Sequence, residues 1–261
     1  MILKERSSHL SHQKNNEYVR VYNINIVAPI MISAKNVVKQ YGKLVALNNV
    51  TFTFDNEQVT AIMGENGAGK STLLKILVGI LPFNQGEITV DGFSIIKDSI
   101  KARERIGYLP ETPTMYDRLT GREFLIYIAS LRKFTDGEQR IRELSTLLGV
   151  DRFLDYELGT YSKGMKQKIS IICAIMHSPP NLLLDEPVWG LDPLTARALQ
   201  KFIIDRKGTT ILATHSPQLV EQTAQQVYIM KRGQVVASGS VAMFMQKYGS
   251  IEEAYFQTEG T

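Results

Sequence analysis

The chain has 261 residues, a formal net charge of +4, 44% apolar residues and one cysteine. That length allows one large domain or two small ones, and the apolar content supports a packed core. The basic residues are scattered and form no stripe for nucleic acid, an intramolecular disulfide is excluded, and no window approaches the ~18 apolar residues of a membrane span.

Residues 1–30 are polar and lack the apolar centre of a signal peptide, so a flexible N-terminal extension is expected, with Met31 as an alternative start. "VTFTF" (Val50 to Phe54) alternates and predicts a strand, and "QVTAIMG" (Gln58 to Gly64) predicts a buried strand running into a glycine loop. Leu73, Leu74, Ile76, Leu77 and Ile80 then recur at helical spacing until Gly79 and Pro82. "GEITVDG" predicts another strand. From about Thr120 to Gly149 the pattern is helical, and a further helix is expected over Lys163 to His177, with Cys173 in a packing role. "NLLLDE", a helix after Pro193, "TTILATH", a helix after Pro217 and "QVYIM" follow. Such alternation of strands and helices implies a mainly parallel sheet. The segment between "LDP" and "ATHS" leaves room for only a short helix.

"GENGAGKS" (Gly64 to Ser71) fits the pattern G-x-x-x-x-G-K-[ST]. Glycines let backbone N–H groups converge on phosphate oxygens, and the helix that follows presents its positive end to an anion. Lys70 adds a full charge near the outer phosphates, and Ser71 offers an oxygen to Mg²⁺. The loop has the strand before it and the helix after it that this chemistry requires. "NLLLDEP" ends an apolar strand in Asp185 and Glu186, at the strand end where parallel sheets bind ligands. Asp185 is expected to orient the metal, and Glu186 to polarise an attacking water.

Three more segments carry a family resemblance: "YSKGMKQK" before "NLLLDEP", "WGLDP" after it, and "ATHS" at the end of the next strand. In this order the chain resembles the ATP-binding cassette (ABC) ATPases from about Met31 to its C-terminus. The resemblance implies an α/β fold: a P-loop NTPase (RecA-like) core with an antiparallel β subdomain and an inserted α-helical subdomain. It places the ATPase domain at residues 31–240, the helical insertion at about 110–170 and a helical tail at 241–261. ATP and Mg²⁺ are the implied cofactors. Tyr41 matches the aromatic stacked on adenine. Gly64, Glu65, Asn66, Gly67, Ala68, Gly69, Lys70, Ser71 and Thr72 match the phosphate loop. Glu111 stands where the family usually has a glutamine that touches the metal. Asp192 matches an aspartate at the dimer interface, and His215 a histidine that contacts the γ-phosphate beside catalytic Glu186 and Lys70.

"YSKGM" replaces the commoner "LSGGQ": Ser162 and Gly164 are kept, while Lys163 stands for glycine and Met165 for glutamine. In the family this segment covers ATP held by a second cassette. "GYLPETPTMYDRLTGREFLIYIASL" and the ending "GSIEEAYFQTEG" are similar to the branch that energises drug, antibiotic and peptide exporters through a separate membrane permease. The resemblance thus implies a permease and a second cassette as partners, no nucleic acid, and a peripheral position on the cytoplasmic face of the membrane. The alternative is a soluble ABC ATPase of the iron–sulfur assembly type.

Overall fold

The computed structural model describes residues 32–134 and 136–259. The expected extension over residues 1–30, and Met31 with it, lies outside the described residues.

Two sheets organise the chain. The smaller contains β1 (Ile32–Tyr41), β2 (Leu44–Phe54), β4 (Gln85–Val90) and β5 (Phe93–Ser94) in the order β2-β1-β4-β5. All its pairings are antiparallel, with Ile32 opposite Phe54 and Tyr41 opposite Leu44 at the hairpin end. The larger combines β3 (Val59–Met63), β6 (Ile106–Leu109), β7 (Asn181–Asp185), β8 (Thr209–Thr214), β9 (Gln226–Lys231) and β10 (Gln234–Ser240) in the order β10-β9-β3-β8-β7-β6. The pairings among β9, β3, β8, β7 and β6 are parallel, and β10 returns antiparallel on β9.

The period-two geometry of a strand divides the larger sheet between two cores. Ile62, Leu183, Ile211, Ala213 and Met230 join the core shared with the antiparallel sheet. Their neighbours Ala61, Met63, Leu182, Leu184, Leu212 and Ile229 join the core on the other face. Helix α1 (Lys70–Leu77) lies in the first core and α2 (Ser99–Glu104) precedes β6. Leu73, Leu74, Ile76 and Leu77 of α1 are fully buried. Burying each stabilises the fold by about 1.5–3 kcal/mol, which fixes the helix and the loop that opens it.

The stretch read as helical from Thr120 to Gly149 is two helices, α3 (Gly121–Leu131) and α4 (Gly137–Leu147). Thr120 begins α3 with a capping box: its side chain accepts from the Glu123 N–H while the Glu123 carboxylate accepts from the Thr120 N–H. The break between them contains Lys133, which takes a left-handed conformation (φ 53) that a continuing helix cannot contain. Helix α5 (Lys163–Ile175) packs against α3, α4 and β6. Cys173 on it packs against the core, and burial pushes its thiol up to about 12, as a packing role requires.

Helix α6 (Pro193–Asp205) runs for 13 residues and corrects the expectation of a short helix. It starts at the proline itself, whose missing N–H is harmless at a first helical position, and Asp192 caps it. Helices α7 (Pro217–Thr223), α8 (Val241–Tyr248) and α9 (Ile251–Glu259) complete the chain. Phe244, Ile251 and Ala254 carry α8 and α9 into the second core.

Candidate nucleotide-binding and hydrolysis site

Strands β3, β8, β7 and β6 are consecutive and parallel, so their C-terminal ends meet along one rim. Gly64 follows β3, His215 follows β8, Asp185 ends β7, and Glu111 lies two residues beyond β6. The topology therefore brings together residues widely separated in sequence.

The loop from Gly64 to Gly69 wraps the head of α1. Gly69 takes φ 105, and a Cβ there would lie 2.7 Å from the Ala46 carbonyl oxygen, so glycine is required twice over. Lys70 donates from Nζ to the carbonyl oxygens of Gly64 (2.6 Å) and Glu65 (3.0 Å). Burial lowers its pKa, opposed by the carboxylates of Glu186, Asp185, Glu111 and Glu65. A cavity of about 570 Å³ opens over this loop, and its lining includes Tyr41, Glu65, Asn66, Gly67, Gly69, Lys70, Ser71, Thr72, Glu111 and Glu186. Tyr41 is 46% exposed, with the Lys39 ammonium 4.7 Å from its ring centroid.

Glu186 is held on several sides. Its N–H donates to the Ala213 carbonyl, Oε2 accepts from the Thr214 hydroxyl at 3.0 Å, and Oε1 lies 2.7 Å from His215 Nδ1. Its φ of 48 is unusual for a residue with a side chain, and strain of this kind is retained where surroundings over-determine it. Asp185 is fully buried, and neither carboxylate oxygen has a hydrogen-bond partner of normal geometry. Burial pushes its pKa up to about 6, helped by the Glu111 and Glu186 charges and opposed by the Ser71 hydroxyl and Lys70.

The remaining sequence candidates lie around the start of α5. Ser162 caps α5, its hydroxyl accepting from the Met165 N–H at 3.2 Å, and Gly164 is in the first turn. Asp192 accepts from the Thr195 N–H at 2.9 Å and pairs with Lys168 at 2.9 Å; the Thr195 bond, then Lys168, holds its carboxyl below the usual range. Ser162, Gly164 and Asp192 do not line the cavity over the phosphate loop of their own chain.

Sequence reading missed Leu44, Val45, Ala46 and Arg232 in the cavity wall. The turn "KRG" between β9 and β10 signals only a hairpin, yet it docks under the phosphate loop through Gly233 N–H to the Ala68 carbonyl (2.9 Å). Thr214 was also missed, since a threonine ending a buried strand carries no sign of the carboxylate it holds.

The sequence matches the family model described as ABC transporter over residues 47–189. The Linearmycin resistance ATP-binding protein LnrL of Bacillus subtilis (strain 168) is 31% identical over 224 residues, which cover 84% of this chain and 72% of that protein. The ABC transporter ATP-binding protein NatA of the same organism is 36% identical over 202 residues, covering 75% and 82%. A solved ATP-binding subunit of an ABC transporter superposes with a TM-score of 0.82 at 31% identity, covering 88% of this chain and 99% of the other. A dimeric bacterial ABC transporter cassette superposes with a TM-score of 0.73 at 25% identity, covering 80% and 98%. The family match spans more than half of the sequence, and the two-sheet fold is the one the solved relatives share: the chain belongs to the ABC transporter family and is one of its ATP-binding cassette ATPases.

Proposed function

We propose that this cassette binds ATP between Tyr41 and the loop Gly64 to Thr72, hydrolyses it with Glu186 and His215, and thereby drives a separate membrane permease, in the direction of export. The observation that carries the reading is the Glu186–His215 pair at 2.7 Å, anchored by Thr214 beside the cavity that holds Lys70 and Ser71. Tyr41 offers an exposed ring to the base. Lys70 and the loop N–H groups hold the phosphates, and Glu186 accepts a proton from, and aligns, the water that attacks the γ-phosphate. His215 keeps Glu186 in place and presents its other ring nitrogen to the phosphate side.

A divalent cation suits this donor set. Among the described residues no three His, Cys, Asp or Glu converge into a protein cage. Mg²⁺ does not need one, because it takes one or two carboxylates together with phosphate oxygens and water. Asp185, with two buried oxygens lacking partners, and the Ser71 hydroxyl are the proposed ligands, with Glu111 beside them. The metal would neutralise charge on the phosphates and stabilise the leaving oxygens. The segment Ser162 to Gly164 covers the γ-phosphate of ATP held by a second cassette, with Asp192 at the same interface, which accounts for its absence from its own chain's cavity.

No helix among the described residues is long and apolar enough to cross a membrane, and the proposed transport partner is a separate membrane chain. A groove of about 560 Å³ between α1 and α3, lined by Ile80, Tyr108, Met115, Phe124 and Ile128, shares Glu111 with the nucleotide cavity. It is the proposed seat of the permease, on the cytoplasmic face of the membrane. The exporter direction rests on likeness to LnrL, named for linearmycin resistance, and to a probable multidrug ATP-binding protein, YbhF of Escherichia coli (strain K12). The test is ATP turnover by the purified chain and by Glu186→Gln, with co-purification of a membrane chain from detergent-solubilised membranes. Turnover lost by roughly two to four orders of magnitude, with ATP still bound, is expected. Near-normal turnover by the variant rejects the assignment of Glu186.

A further inference from the structure

Among the described residues, β6 is an edge strand of the larger sheet, and the ends of three helices gather beside its start. Residues of α2, the C-terminal end of α3 and His177, which follows α5, line an open basin of about 670 Å³. Its lining includes three cations, Arg103, Arg132 and Lys133, and one carboxylate, Glu104. All four residues are exposed. Among the described residues none of the three cations has an ion pair. Arg103 donates to the Ser99 hydroxyl, and Arg132 to the carbonyl oxygens of Arg103 and Ile106.

Cations at helix C-termini complement the helix dipole, which accounts for Arg103 in the last turn of α2 and Arg132 at the cap of α3. It does not account for the apolar side chains set among them. Ile100 is 68% and Leu131 62% exposed, and both line the same basin. Ile80, 65% exposed, lies close by: a Cβ on its neighbour Gly79 would be 3.9 Å from Cδ of Arg103. Ile80 and Ile128 also line the groove proposed for the permease, and Ile128 and Leu131 are neighbours three apart on α3. Basin and groove therefore adjoin.

We propose that this basin docks on the anionic bilayer itself, Arg103, Arg132 and Lys133 taking lipid phosphates while Ile100 and Leu131 enter the headgroup layer. The occupant follows from charge and from position. Unpaired cations around exposed aliphatic side chains complement a surface that offers phosphates and, just beneath them, hydrocarbon. A chain seated on a permease through the adjoining groove carries the basin toward the membrane in which that permease lies. This last step rests on the permease reading above, and the proposal adds to it a second, direct contact with lipid.

The test uses the full chain without permease, sedimented with vesicles of phosphatidylcholine alone or of phosphatidylcholine and phosphatidylglycerol in equal parts. Binding should require the anionic lipid and fall as salt is raised. Arg103→Gln and Lys133→Gln should each weaken it by roughly fivefold at low salt, the share of one cation near such a surface. Ile100→Ser and Leu131→Ser together should weaken it by roughly tenfold at every salt concentration. Lys247→Gln removes an exposed cation from α8, which follows β10 at the opposite edge of the sheet, and should change binding little. All variants should keep the parent's ATP turnover in solution, which shows that they fold. If the chain ignores phosphatidylglycerol, or if Lys247→Gln weakens binding as much as Arg103→Gln and Lys133→Gln do, the proposal is overturned. If the basin variants bind vesicles as the parent does but lose a co-purified protein, the surface belongs to that protein and the proposal is likewise overturned. Co-purification of a membrane chain tests the permease reading separately: its failure with vesicle binding intact removes the permease and leaves the lipid contact standing.

Discussion

His215 Nδ1 lies 2.7 Å from Glu186 Oε1, across the gap between the ends of two adjacent parallel strands. The Thr214 hydroxyl donates to the other oxygen of the same carboxylate, so the last residue of β8 and the residue after it hold one side chain of the segment after β7. His215→Ala should leave ATP affinity nearly unchanged and lower turnover by about two orders of magnitude, the effect of losing a group that orients the base. His215→Gln, which keeps a hydrogen-bonding nitrogen, should retain part of that activity. Steady-state hydrolysis beside equilibrium ATP binding checks both, and full turnover by His215→Ala would show that Thr214 alone suffices.

Glu111 lines both the nucleotide cavity and the groove between α1 and α3. A carboxylate there, near Asp185 and Glu186, adds a negative charge that attracts a cation and repels phosphate. Glu111→Gln should therefore raise the Mg²⁺ concentration needed for half-maximal hydrolysis, while ATP affinity without metal changes little. Titration of Mg²⁺ at fixed ATP reads the effect. An unchanged metal dependence would remove Glu111 from the metal's surroundings.

Lys70 faces the cavity of its own chain, whereas Ser162 does not line it. If each ATP needs both groups, they come from different chains. Hydrolysis by the isolated subunit should then rise more than linearly with protein concentration. Mixing a Lys70→Ala chain with a Ser162→Ala chain yields one intact and one doubly damaged site per heterodimer, and partial activity should return. Cysteines at positions 71 and 162 separate the outcomes: ATP-dependent crosslinks between chains support the shared site, and crosslinks confined within one chain exclude it.

Asp185 has its pKa raised by burial to about 6 from an ordinary 3.8. The folded state binds that proton more tightly than the unfolded state does. Its contribution to stability is therefore complete below about pH 4 and is lost as pH rises through about 6. At pH 7, without nucleotide or metal, the ionised carboxylate destabilises the fold by up to roughly 3 kcal/mol. Asp185→Asn should raise the melting temperature by several degrees at pH 7 to 8, with the gain shrinking toward pH 4. Thermal unfolding of both proteins across that range, in chelator, measures it. The same substitution should abolish hydrolysis, so stability and function would move in opposite directions.

Much of the cassette is legible along the chain because its determinants are local. The loop "GENGAGKS" needs only its own glycines, its lysine and the helix behind it, and the apolar strand "NLLLD" carries its carboxylate at its own end. The helices after Pro193 and Pro217 announce their starts through a proline preceded by a capping residue, although the length of α6 escaped notice. Its buried positions, Thr195, Leu199 and Ile203, recur every four residues among exposed and half-buried ones, a helical spacing that was there to be read. The break between α3 and α4 also went unseen, since a left-handed Lys133 leaves no mark in hydrophobic spacing.

Tertiary structure alone decided which residues meet. Strand order β3-β8-β7-β6 places the chain's third, eighth, seventh and sixth strands side by side. Nothing in the periodicity of any one of them states its neighbour. The Thr214–Glu186–His215 cluster depends on that order, and the Gly233 turn beneath the phosphate loop depends on β9 lying beside β3. Each depends on a contact between segments whose local patterns are complete without it. Local chemistry and spacing therefore identify the parts of this cassette, while sheet order and close packing set their distances, burial and charge.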